Sequence, residues 1–180
     1  QCGPRVYSEN VVAPAARVML LKVLAERHAA DQWDAVLAAT VDPDPDVQRA
    51  AYKALGTVGT TATMPQLVSL YLAGDNAKLK HAASRAVVSV ARAEPDAAKR
   101  YVTLLDAYDK GDTDARQAVL EVLPAVAGQP ALDKVVLASR DADADLQAAG
   151  IRALAAWPDD SAAEAMLAAL VASRELSQQV

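Results

Sequence analysis

Phenylalanine is absent from this sequence and aromatic residues make up only 4% of it, yet 53% of the chain is hydrophobic. The apolar content is therefore mostly Ala, Val and Leu, which suits close helix–helix packing rather than a thick sheet core. The single cysteine, Cys2, excludes an internal disulfide and a cysteine-based metal centre. No apolar run approaches the roughly 18 residues a membrane span needs, so no membrane insertion is expected. Basic residues are the minority, 18 Lys+Arg against 23 Asp+Glu, for a formal charge of −5. A duplex-binding domain is ordinarily basic, so no nucleic acid is expected as a partner. The two histidines, His28 and His81, have no second ligand at helical spacing. There is no glycine-rich phosphate loop, no Gly-x-Ser-x-Gly and no His-Glu-x-x-His. Paired carboxylates able to do acid–base work cannot be told from the acidic helical background. Catalytic residues, metal ions and cofactors are therefore all absent from the expectation.

What is present is a repeat. "VQRAAYKAL" at 47–55 matches "ARVMLLKVL" (16–24), "LKHAASRAV" (79–87), "ARQAVLEVL" (115–123) and "LQAAGIRAL" (146–154), at offsets of 31, 32, 36 and 31 residues. In each copy the apolar or small residues fall at the first, fourth, fifth, eighth and ninth positions, which is one face of an α-helix. A second set of helical stretches lies between the copies, at 31–41, 63–73, 95–108, 130–139 and 161–173. Thr63, Pro95, Pro130 and Ser161, the last with Glu164 as a capping box, are their start signals. No stretch shows the strict alternation of a half-buried strand.

The alternating carboxylates Asp42, Asp44, Asp46 and Asp141, Asp143, Asp145 pose the one metal question. A calcium loop counted from Asp42 needs glycine at its sixth position and glutamate at its twelfth. Val47 and Lys53 stand there, and from Asp141 it is Leu146 and Arg152. The same carboxylates suit helix starts. Asp44, Asn76, Asp112 and Asp143 sit where a short polar side chain accepts from the unpaired N–H groups of a first turn. Pro45 and Pro14 occupy first helical positions, where a missing N–H costs nothing. Asp46, Asp114 and Asp145 place negative charge near the positive helix end.

The stretch "WDAVLAATVDPDPDVQRAAYKALGTVG" (33–59) resembles a unit of the HEAT-repeat (armadillo-like) family: a first helix, an Asp-rich turn, then Val, a polar residue, paired alanines and Ala-Leu-Gly. The resemblance runs from about 14 to 173. It is strongest at 33–59 and 132–157 and weakest at 97–126, where Pro124 falls late in a helix. The family's turn aspartate is present as Asp42 and Asp141, while Gly74 and Lys110 stand in its place in the middle repeats. More narrowly, "IRALAAWPDDSAAEAML" is similar to HEAT arrays in large exported proteins of planctomycete- and verrucomicrobium-type bacteria. The implied fold is all-α, a right-handed α-α superhelix of about five helix-turn-helix repeats at 14–173. An N-terminal segment (1–13) and a tail (174–180) flank it. The chain opens on Gln1, and neither end carries a clear partner helix. An array of this kind needs polar caps, so a piece of a longer protein is expected. Cys2 would be the residue to carry an N-terminal lipid after processing.

Second helices line the concave surface in HEAT families. The third position holds Arg49 and His81, the sixth Leu21, Tyr52, Ser84, Leu120 and Ile151, and the seventh Lys22, Lys53, Arg85, Glu121 and Arg152. At about 100° per residue all three positions point away from the packed face. The resemblance thus implies a basic, partly apolar stripe of Lys22, Arg49, Tyr52, Lys53, His81, Arg85 and Arg152, able to dock an acidic segment with Tyr52 as aromatic anchor. An ordinary solvated face is the plainer alternative. Arg17, Lys80 and Arg116 resemble the family residues that pair with turn carboxylates. Trp33 and Trp157 read as packing residues. The expected function is a non-enzymatic scaffold binding a protein or peptide, including other domains of a parent chain. The alternatives are an enzyme on this fold, of bilin-lyase or alkyl-base-glycosylase type, or a structural spacer.

Overall fold

The computed structural model describes residues 12–74 and 76–167, and every regular element among them is helical. The α-helices are α1 (Pro14–Glu26), α2 (Trp33–Ala38), α3 (Pro45–Val58), α4 (Met64–Leu72), α5 (Ala77–Ala93), α6 (Val102–Lys110), α7 (Thr113–Val126), α8 (Gln129–Ala138) and α9 (Ala144–Ala155). Tight 3-10 turns at Ala30–Gln32 and Ala39–Val41 extend α2 at both ends. A third, Asp160–Ala162, leads into helical residues 163–167. Cys2, most of the N-terminal segment 1–13, the 168–173 part of the expected last helix and the tail 174–180 lie outside the described residues.

The odd-numbered helices α1, α3, α5, α7 and α9 lie side by side in chain order. Of the even-numbered ones, α2, α4, α6 and α8 each pack on the helix that follows. The architecture is an α-α solenoid, in which each hairpin completes its core against its neighbours.

The aspartates start helices as their spacing predicts. The Asp44 carboxylate accepts from the N–H groups of Asp46 and Val47, and Asp143 accepts from those of Asp145 and Leu146. Asn76 does the same for Lys78 and Leu79, and Asp112 for Ala115. One step earlier, Asp42 and Asp141 each accept from the N–H of the residue two places on, at 2.9 Å. The turn and the first helical turn thus share one run of carboxylates.

The first helices depart from expectation. Residues 97–101 form turns, and α6 starts at Val102, not at Pro95. Arg100 donates from Nε to the Glu94 carbonyl at 2.8 Å, which ties this connection back to the end of α5. Thr63 precedes α4 without capping it, because its hydroxyl accepts from Thr60 N–H instead. Ser161 and Glu164 make no capping box. Asp159 accepts from Ser161 N–H, while the Ser161 hydroxyl accepts from the Trp157 indole at 3.1 Å.

The small residues at the helix seams are buried, with Ala51, Ala83 and Ala149 all nearly inaccessible. The first copy differs. Met19 and Leu20, at its fourth and fifth positions, are 67% and 57% exposed, because α1 packs on α3 but has no described first helix beside it. Helix α7 runs through Pro124 to Val126 and then stops at Ala127, which has φ of 60° and ψ of −172°. That region is essentially reserved for glycine. Ala127→Gly is therefore expected to stabilise the protein by about 1 kcal/mol, once the greater freedom of glycine in the unfolded chain is offset. A urea titration followed by circular dichroism would measure it, and a loss of stability would show that the backbone is not strained there.

The cations expected to pair with turn carboxylates split into two groups. Arg17 does pair with Asp42. Among the described residues, Lys80 and Arg116 pair with no carboxylate. The Lys80 ammonium lies 5.8 Å from the centre of the Tyr71 ring. Arg116 lies 5.6 Å from that of Tyr108 and donates from Nε to the Tyr108 carbonyl at 3.2 Å. Where Gly74 and Lys110 replace the turn aspartate, an aromatic face on the preceding helix lies against the cation.

Candidate functional site

The exposed face of the odd-numbered helices carries three adjoining clefts. The first, of about 710 Å³, lies between α1 and α3, with Lys22, Arg49, Lys53, Asp44 and Asp46 on its walls. The second, of about 430 Å³, lies between α3 and α5 and has Arg49, Tyr52, Lys53 and Arg85 around it. The third, of about 640 Å³, lies between α5 and α7 and takes in His81, Arg85, Arg92 and Glu121. Neighbouring clefts share lining residues and so run side by side as one grooved face. Lys53 and Arg49 belong to the first two, and Arg85 to the last two.

Helix-to-helix hydrogen bonds fix the groove's floor. Ser89 on α5 donates to the Gly56 carbonyl on α3 at 2.7 Å. Arg92 on α5 donates from Nε to the Ala125 carbonyl on α7, also at 2.7 Å. The α3–α5 approach is tight, since a β-carbon on Gly56 would sit 3.1 Å from the Ala86 Cα. Behind the third cleft, the Tyr71 hydroxyl donates to the Ala118 carbonyl at 2.8 Å. Burial first, and the Glu121 carboxylate second, push the Tyr71 phenol well above its ordinary pKa.

The sequence stripe divides on this surface. Lys22, Arg49, Lys53, His81 and Arg85 are exposed and border the groove. Arg152 is exposed on α9 but borders none of the three clefts. Tyr52 corrects the expectation of a free aromatic anchor. It is 5% exposed, and that burial raises its phenol pKa. The same sixth position buries Leu21 and Leu120. These three pack into the seam between neighbouring odd-numbered helices, whereas Ser84 is half-buried and Ile151, on α9, is 45% exposed, so the sixth position sits at the edge of the packed arc. Arg49 is also partly engaged, with its guanidinium 3.0 Å from the Asp46 carboxylate one turn earlier. Ser89 and Arg92 were missed because they fall beyond the nine-residue copy. Arg92 follows Arg85 by two turns on the same face, so extending the seventh position along α5 would have found it.

Residues 12–88 match the family described as HEAT repeats. The HEAT-repeat match takes in α1 to α4 and most of α5, and with them Lys22, Arg49, Tyr52, Lys53, His81 and Arg85. Arg152 lies outside it. A crystal structure of an engineered protein is 19% identical, over 89% of this chain and 81% of that one, with a TM-score of 0.42. No curated protein matches the chain.

Proposed function

We propose that the chain is a non-enzymatic helical scaffold that binds a protein or peptide along the exposed face of its odd-numbered helices. The ligand class this face suits is an acidic segment. The observation that carries the reading is the placement of Lys22, Lys53 and Arg85 on α1, α3 and α5, bordering two adjoining clefts that share Arg49 and Lys53. The molecule as a whole carries −5, so this stripe is a local reversal of its charge. Such a field favours encounter with an acidic partner and orients it, more than it adds raw affinity.

Polyglutamate labelled with a fluorophore is a sufficient first probe. Reversing Lys22, Lys53 and Arg85 to Glu is expected to weaken its binding at least about ten-fold at low salt. The wild-type affinity should fall steeply as salt shortens the screening length to about 8 Å. A control reversing Arg27, Lys99 and Arg140, exposed residues outside the groove, changes the net charge equally and should matter far less. Equal losses in both triple variants would remove the groove from the account.

A further inference from the structure

The five seventh-position residues carry more than a basic stripe; they carry a sequence of signs. Lys22, Lys53, Arg85, Glu121 and Arg152 stand on α1, α3, α5, α7 and α9 and read plus, plus, plus, minus, plus. The clefts set the first four in order, Lys22 with Lys53, Lys53 with Arg85, and Arg85 with Glu121, while Arg152 borders none of them. All five are exposed. Among the described residues, none of the five makes an ion pair or a side-chain hydrogen bond. Their neighbours are engaged. Arg49 is paired with Asp46, and Arg92 holds the Ala125 carbonyl. The row therefore presents one uncommitted charge per repeat.

Packed helices stand about 8–10 Å apart, so these charges recur at about that interval. An extended chain that meets each of them must present a side chain to the same side at the same interval. A β-strand covers about 10 Å in three residues, but its third side chain points the opposite way. A polyproline II segment rises about 3.1 Å per residue with three residues per turn, which returns a side chain to one face every 9 Å or so. We propose that the groove takes a polyproline II segment with a charged residue at every third position, in the order acid, acid, acid, base, against Lys22, Lys53, Arg85 and Glu121. The proposal rests on the reading of this face as a docking surface and names the conformation and charge order of its ligand.

The full chain and synthetic peptides with blocked ends test it. The matched peptide is Glu-Pro-Pro three times, then Lys, made also in reversed chain direction. Two controls accompany it. One has the same composition with its charges at every second position, and the other has Glu in place of the lone Lys. By fluorescence anisotropy at low salt, the better direction of the matched peptide is expected to bind about ten-fold tighter than the respaced control. It should bind about five-fold tighter than the all-acidic one. Glu121→Lys, an exposed change, should reverse the second preference while leaving the helical signal and melting temperature unchanged. If the respaced control binds as tightly as the matched peptide, or Glu121→Lys leaves the preference alone, this inference falls while the docking surface stands. If none of these peptides nor polyglutamate binds, both fall together.

Discussion

Tyr71→Ala is expected to lower stability by about 3–5 kcal/mol, the range for emptying a buried aromatic site. Tyr71 is 1% exposed on α4, and its hydroxyl reaches across to the Ala118 carbonyl of α7. The Lys80 ammonium of α5 lies over its ring. One side chain thus joins three helices of two successive repeats. In a solenoid, stability is a sum of repeat terms and nearest-neighbour terms, so losing this joint should uncouple the array as well as weaken it. Urea unfolding should show a lower midpoint and a broadened transition. Tyr71→Phe keeps the ring and loses one hydrogen bond, so a cost of about 0.5–1.5 kcal/mol is expected. Tyr71→Phe also separates from wild type at high pH. Burial, followed by the Glu121 carboxylate, raises the Tyr71 pKa in the folded state. An unfolded tyrosine ionises near pH ~10. The contribution of the neutral phenol is therefore complete below that pH and is lost as pH rises through the raised folded value. Wild-type stability should fall more steeply above pH ~10 than that of Tyr71→Phe. Tyr52 and Tyr108 are shifted in the same direction, so the Phe variant should flatten the slope without abolishing it. A wild-type midpoint for Tyr71→Ala would mean that the ring carries no coupling between repeats.

The caps were legible because capping is local. Asp44, Asn76, Asp112 and Asp143 act on N–H groups no more than three residues away, and their spacing alone identifies them. The buried seam alanines were legible for a related reason, since a helix exposes its packed face as a period. The sixth position was not. Helical phase gives the angle between residues but not how many neighbours a helix has. An odd-numbered helix in the array touches its own hairpin partner and another odd-numbered helix on each side, so its buried arc is wide enough to take in Tyr52 and Leu120. Met19 and Leu20 err in the opposite direction. They match the packed pattern and are exposed, because α1 has no described partner on that side. The stand-in of Tyr71 and Tyr108 for a turn carboxylate was hidden too, since a cation–aromatic contact leaves no fixed spacing in the chain.

Gly150→Ala sets local propensity directly against packing. Gly150 lies inside α9, where replacing glycine with alanine ordinarily stabilises a helix by about 1 kcal/mol. Here the opposite sign is expected. A β-carbon at this position would lie 2.4 Å from the Ser139 nitrogen, 2.7 Å from the Ala138 carbonyl carbon and 2.8 Å from the Ser139 Cα. All three are backbone atoms at the C-terminal end of α8, and the Ser139 nitrogen donates to the Val135 carbonyl at 2.9 Å. No rotamer change can relieve the overlap, so α8 and α9 must move apart and open the seam. Overpacking of this kind costs about 1–3 kcal/mol, and the absence of a flexible neighbour places Gly150→Ala in the upper part of that range even after the gain in propensity. Gly56→Ala is the internal comparison. Its β-carbon would approach Ala86 Cα at 3.1 Å and Ser89 Cβ at 3.3 Å, so a shift of a few tenths of an ångström suffices and a smaller loss is expected. Thermal unfolding of the two variants should rank Gly150→Ala below Gly56→Ala, and both below wild type. A gain in melting temperature for Gly150→Ala would mean that α8 and α9 do not approach this closely, because only a looser seam lets helix propensity win.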